Sequence, residues 1–300
     1  MDQKQFFAEL AKDEENFEVL DNCIWCGSAR YQLWGEQSYP GFVTVECEDC
    51  NIVYVRKRFN EKGRKELCDG YMAVRQHGER AKQRQTMYQI DLDFIFRCVR
   101  SGRVLDAGCG GGYLLEQMPN DCWVKWGTEL DTDSVERAKR VLQTEKISEG
   151  EIEQIELPLN YFDLVIARGV IEHVPYPRKF IDRIAELVSS EGWVFISGPN
   201  IASFCAQFYK DRWKLHYPEA HLTHLSVNHL DMVLQEYGFS LVSDVYHYLE
   251  TPYASPKDDI VQIARDIEAA REGKREDMSK ESPPFFGNRY TAIWEKGTIR

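Results

Sequence analysis

The sequence predicts an α/β protein: a doubly wound, mostly parallel sheet with a small cysteine-held ribbon towards its N-terminal end. Three observations predict it. After residue 100, short apolar runs alternate with amphipathic helical stretches. The first of those runs ends in a glycine-rich turn, VLDAGCGGGYLLEQM (104–118). Ahead of it lie two Cys-x-x-Cys pairs, Cys23-Ile-Trp-Cys26 and Cys47-Glu-Asp-Cys50, while the other five of the nine cysteines are scattered.

In chain order, residues 1–20 read as a helix, acidic and without the apolar centre of a secretory signal, so a cytoplasmic location is expected. Residues 21–58 read as the ribbon. Two knuckles, each presenting two sulfurs from a tight turn, suit tetrahedral Zn²⁺ held by Cys23, Cys26, Cys47 and Cys50. Disulfides are disfavoured without a signal, and a redox role would need only one pair. The pieces RYQLWG, FVTVEC and IVYVRK supply its strands. Residues 59–100 form a helical connector or lid, with Tyr71 and Tyr88 as candidates to cover the site.

The core is expected over 101–250 and 286–300. Its strands are RVLDAG, WVKWGTEL, a weak one near KISEGEIEQI, FDLVIAR, WVFISG and FSLVSDVYHY. The helices between them start near Asp131, at PRKFIDRIAELV, and at VNHLDMVLQEYG behind Ser226. Residues 251–285 are a helical insertion and linker that could close the pocket or mediate self-association.

Composition sets limits. No apolar run approaches the roughly 18 residues a membrane span needs. The net charge of −12 argues against nucleic acid and anionic membrane. Residues 56–100 are locally basic, which reads as solvated helix faces or as a surface for an anionic acceptor such as a nucleotide-linked sugar. The second knuckle carries Glu46, Glu48 and Asp49, the wrong sign for a phosphate-binding ribbon.

The glycine turn is not that of a dinucleotide site. The third small position of G-x-G-x-x-G/A would be Tyr113 or Leu115. Asp106-x-Gly108-x-Gly110-x-Gly112 instead resembles the first motif of class I S-adenosylmethionine-dependent methyltransferases. That resemblance spans roughly 90–245 and implies a Rossmann-like sheet of six parallel strands plus one antiparallel, RYTAIWEKG being the last. It implies that Asp106 meets the cofactor's amino group, Glu129 the ribose hydroxyls, Leu130 the adenine face and Glu151 the adenine amine. FDLVIARGVIEHVPYP resembles the family's fourth strand and following loop, which adds Arg168 to the cofactor side.

The same loop lacks the Asn/Asp-Pro-Pro-Tyr/Phe motif of base-modifying enzymes and looks like that of small-molecule and sugar methyltransferases. Methyl transfer is an in-line displacement, so the enzyme mainly aligns a nucleophile and takes its proton. His224 is the expected base, ahead of His173 and His221, in a loop where Tyr209, Trp213 and Tyr217 would wall the acceptor. His229 reads as structural. The expected activity is transfer to oxygen of a small molecule, sugar or glycan. The alternatives are an RNA or protein methyltransferase that reads its target through the ribbon, and a non-catalytic cofactor-binding module.

Overall fold

The structure, a computed structural model, describes residues 9–72 and 79–297 and, within these, all side chains except those of 68–72 and 79–82. Two sheets organise it. The first holds β1 (Phe17–Val19), β2 (Tyr31–Leu33), β3 (Val43–Cys47) and β4 (Val53–Phe59), antiparallel in the order β1-β4-β3-β2. The stretch expected to be a helix up to residue 20 thus ends as a strand. Asp13 caps one short turn, after which Phe17 and Glu18 pair with Phe59 and Arg58. Tertiary pairing beside the open edge of β4, with Phe17 packed on Phe42 and Phe59, overrides local helix preference.

Helices Glu61–Met72 and Glu79–Ile95 lead into the core strands β5 (Gly102–Ala107), β6 (Trp123–Glu129), β7 (Ile147–Glu149), β8 (Phe162–Arg168) and β9 (Val188–Pro199). Then come β10 (Thr223–His224), β11 (Phe239–Val245) and β12 (Arg289–Lys296). The second sheet runs β11-β12-β9-β8-β5-β6-β7. Only β12 is antiparallel, so the sheet has the six parallel strands and one antiparallel strand expected. β7 is as short as its glutamate-rich sequence suggests. β5 and β8 are buried through their centres, as near-continuous apolar runs require of a sheet covered on both faces.

Helices Pro177–Leu187 and Val227–Gln235 cover one face through Phe180, Ile181, Ile184, Leu230 and Val233. Helix Thr132–Leu142, capped by Asp131, covers the other with the end of Glu79–Ile95. Helix Pro256–Arg271, in the expected insertion, turns Asp259, Ile263 and Asp266 inward.

The ribbon is not confined to residues 21–58. β10 joins its sheet, pairing Thr223 with Tyr54 and His224 with Val53. Part of the basic 56–100 segment is neutralised by the residues before the ribbon's cysteines: Lys57 pairs with Glu14, Arg58 and Arg64 with Glu18, and Lys62 with Asp13.

Candidate active site

Strand order reverses between β5 and β8, and ligands of doubly wound sheets sit beyond the carboxyl ends of strands at such a point. Asp106 lies there on β5, 3% exposed. Burial raises its carboxyl to about 7, with Arg168 opposing and Glu129 adding to the rise. No hydrogen-bond donor among the described residues reaches it. The arrangement fits a ligand ammonium.

The turn that follows explains its glycines. Gly108 has φ 76°, and a Cβ there would lie 2.6 Å from Val170, so only glycine lets the loop after β8 close against the turn. Gly110 has φ 53°, and its missing Cβ faces open space. Its N–H donates to Glu129 Oε2 at 2.8 Å. Glu129 Oε1 accepts from the N–H groups of Leu130 and Asp131, at 2.7 and 3.2 Å. Three backbone donors therefore fix the carboxylate at the end of β6, and about one of its four acceptor positions stays open. Leu130 beside it is 54% exposed, an apolar surface suited to an adenine face. These features fit S-adenosylmethionine, and Asp106, Gly108, Gly110, Gly112, Glu129 and Leu130 would hold it.

Two cofactor-side candidates differ from expectation in detail. Glu151 follows β7 as expected, but it is exposed and accepts from the Gln154 amide at 2.6 Å. Arg168 does not point freely into the cleft. It is bound to Asp91 at 2.5 Å and stacked on Tyr88, so it locks the connector helix to the end of β8. Tyr88 thus packs on Arg168, and Tyr71 lies outside the described side chains.

Beyond Val170, the loop after β8 presents Glu172 and His173 to His221, one ligand atom of each lying within 4.8 Å of the others. His173 Nδ1 is 2.9 Å from the Ala220 carbonyl and His221 Nδ1 is 2.7 Å from the Leu215 carbonyl. Each carbonyl accepts from an Nδ1–H, which leaves the neutral ring's lone pair on Nε2. Burial pushes His221 well below the usual imidazole range, with His173 and His224 reinforcing it. Such a set could take up an acceptor's proton or hold a divalent cation. Glu172 Oε2 and the Tyr290 hydroxyl, both buried, have no partner among the described residues.

His224, the expected base, is elsewhere. Its backbone is strand rather than loop, and its side chain is fully buried among Trp34, Trp213 and His216. Its Nε2 is 3.1 Å from His216 Nδ1. β10 begins only at Thr223 and carries His224 into the ribbon sheet, whereas His221 precedes the strand and faces His173, its ring centroid 6.1 Å from that of His224. Two expected acceptor walls are also interior: Trp213 bonds Asn288, and Tyr209 bonds Asp266 at 2.9 Å. Tyr217 does lie beside His221. His229 is structural as read. It accepts from the Ser226 N–H through Nδ1 and reaches the Cys50 carbonyl through Nε2 at 3.0 Å. Glu172 and Tyr290 escaped sequence reasoning, although Glu172 adjoins a histidine already singled out.

The four ribbon cysteines cluster with Sγ···Sγ contacts of 3.6 Å for Cys23–Cys50 and Cys26–Cys47. The edge of a zinc–thiolate tetrahedron is about 3.8 Å for bonds of about 2.3 Å. The contact with Cys50 lowers the Cys23 thiol to about 5, which favours the thiolate that metal binding needs. The donor set fits Zn²⁺.

Comparison with known proteins agrees with this geometry. A family described as "Methyltransferase domain" matches residues 80–244. Ubiquinone biosynthesis O-methyltransferases are similar. That of Leptothrix cholodnii is 34% identical over 109 residues, covering 33% of this chain and 44% of the relative. That of Neisseria meningitidis serogroup C is 34% identical over 129 residues, covering 39% and 54%. The chain thus spans about half the length of these curated relatives. Among solved structures, a putative methyltransferase of Bacillus halodurans superposes with TM-score 0.50 at 16% identity, covering 70% of this chain and 98% of that one. A chain from the complex of the Haloferax volcanii Trm112 methyltransferase activator with a putative methyltransferase gives 0.52 at 14%, covering 78% and 97%. At such identities they speak for the fold. With more than half its length matched and the first motif's geometry in place, the chain belongs to the class I S-adenosylmethionine-dependent methyltransferases.

Proposed function

We propose that the protein transfers a methyl group from S-adenosylmethionine to a hydroxyl oxygen of a small molecule, with Glu172, His173 and His221 managing the proton. The observation that carries this reading is the convergence of those three side chains immediately beyond Val170, which itself packs on Gly108 of the cofactor turn. The cofactor, when bound, supplies an electrophilic methyl on a sulfonium. The chain's own groups do the rest. Asp106 and Glu129 anchor amino and ribose groups, and an imidazole Nε2 accepts the proton that the hydroxyl sheds. The Glu172 carboxylate stabilises the imidazolium so formed. The names of the curated relatives point to oxygen as the acceptor atom.

The ribbon, in this reading, binds structural Zn²⁺ and acts as a template for the acceptor loop. β4 accepts β10 as a further strand, and Leu222, between His221 and β10, is bonded to Val55 on one side and Glu172 on the other. Residues 21–58 with β1 and β10 would then form one functional unit with the core. The experiment is a screen of phenols, catechols, sugars, glycans and nucleotide-linked sugars for formation of the demethylated cofactor, with the product's methyl located by NMR. A methoxy product supports the reading, whereas transfer to nitrogen or carbon contradicts it.

A further inference from the structure

Arg289 opens β12 opposite Pro199, half-buried at the carboxyl end of the sheet. Two other buried guanidinium groups are ion-paired, Arg168 with Asp91 and Arg58 with Glu18. Arg289 has no hydrogen-bond or ion-pair partner among the described residues. Its Nη2 lies 3.8 Å from the point where a Gly169 Cβ would sit, and Glu172 Oε1 lies 3.7 Å from the same point. Gly169 therefore leaves a notch with a guanidinium on one side and a carboxylate on the other.

Gly198 forms the next wall: a Cβ there would meet the Tyr290 hydroxyl at 3.1 Å and Glu172 Oε2 at 3.5 Å. Those two polar atoms are the unpartnered ones, on side chains 1% and 3% exposed. Burying polar groups without partners costs free energy, so a guanidinium, a carboxylate oxygen and a phenol left unpaired around one notch are the signature of a ligand site.

We propose that this notch selects an acceptor bearing a carboxylate next to the hydroxyl that is methylated. The proposal rests on the oxygen-transfer reading and narrows its substrate class. A planar carboxylate matches one guanidinium in a two-pronged hydrogen bond. A dianionic phosphate ester would place two negative charges against one guanidinium, beside the Glu172 carboxylate, so the single charge is favoured. With the carboxylate on Arg289, the neighbouring hydroxyl falls among Tyr290, Glu172 and His221, the groups able to orient it and take its proton. Tyr290 is pushed up from the usual phenol range by burial and stays a donor.

The test uses the full chain loaded with demethylated cofactor and compares binding of paired probes by calorimetry. The pairs are dihydroxybenzoate with dihydroxybenzamide and glucuronate with glucose, with glucose phosphate as the dianionic arm. The acids should bind about tenfold or more tightly than their neutral partners. Arg289→Gln should remove about 10- to 100-fold of acid affinity and leave neutral probes and S-adenosylmethionine unaffected, and Arg289→Lys should recover part of it. Equal binding of acids and neutrals, a preference for the phosphate, or loss of cofactor affinity in Arg289→Gln would each overturn the proposal. The last result would assign Arg289 to the cofactor's own carboxylate. O-methylation of acids and neutral partners at equal rates, both unchanged in Arg289→Gln, would defeat this inference and leave oxygen transfer intact. Acid preference with the methyl found on nitrogen or carbon would do the reverse.

Discussion

The backbone N–H of Val55, in the ribbon, donates to the carbonyl of Leu222 at 2.9 Å. One residue from Leu222 is His221, so the ribbon's central strand sets the height of the acceptor loop. Zinc should therefore matter to chemistry as well as to folding. Elemental analysis should find one zinc per chain, and Cys47→Ser should lose it. That variant should also lose methyl transfer while its cofactor affinity stays near wild type, because Cys109 of the glycine turn and Leu114 and Leu115 after it pack in a cluster separate from that of Cys23 and Cys47. A zinc-free variant with normal turnover would contradict this.

Asp106 carries a pH prediction. Its carboxyl titrates at about 7, raised chiefly by burial, and only the ionised form attracts an ammonium. Cofactor affinity should weaken about tenfold per unit below about pH 7 as Asp106 takes up its proton, and fall again above about pH 8 as the ligand's own α-amino group loses one. Asp106→Asn should weaken binding by about 10- to 100-fold and abolish the lower break, since the charge is gone and the shape kept. Calorimetric titrations of both proteins between pH 5.5 and about 8.5 decide it; a wild-type profile without the lower break would speak against the ammonium contact.

The histidines should separate by role. His221→Gln should lower turnover by about 10²–10⁴-fold with unchanged cofactor affinity. His224→Ala should instead lower stability by about 2–4 kcal/mol, by hollowing out the space among Trp34, Trp213 and His216. Denaturant melts and single-turnover assays read the two effects. If His224→Ala loses turnover while keeping its stability, the assignment is reversed.

The same interior predicts acid lability. Burial lowers His216 to about 3, whereas an unfolded histidine titrates near about 6.5. The unfolded chain therefore binds more protons, and the stability of the neutral ring is lost as pH falls from about 6.5 towards 3. Asp106, raised instead, works the other way between about 7 and 4, so Asp106→Asn should make the fall steeper. Thermal midpoints of zinc-loaded protein from pH 7.5 to about 5 test both signs.

The candidate cofactor half was legible in the sequence because its geometry is local. Asp106, Gly108, Gly110 and Glu129 sit at strand ends that apolar periodicity marks, and each is placed by its own few neighbours. The acceptor half was not, since it is assembled from three distant segments: the loop after β8, the residues before β10, and the start of β12. From sequence His224 reads as a better base than His221, because nothing local announces that Thr223 and His224 pair with Tyr54 and Val53 of the ribbon. Arg289 and Tyr290 read as an ordinary strand start, and only the register of β12 on β9 brings them beside Glu172. The N-terminal strand was hidden for the same reason, being specified by β4 rather than by its own residues.

If the Asp106–Glu129 and Glu172–His221 halves make one oxygen-methylating site, methyl transfer to oxygen should depend on both. The most direct measurement uses S-adenosylmethionine carrying a deuterated methyl group, incubated with zinc-loaded protein and a hydroxylated acceptor, with the product read by mass spectrometry and NMR. Wild type should form a deuterated methoxy group, and His221→Gln should lose it in step with turnover. A labelled methyl on nitrogen or carbon, or undiminished methoxy formation in His221→Gln, would contradict a single oxygen-methylating site.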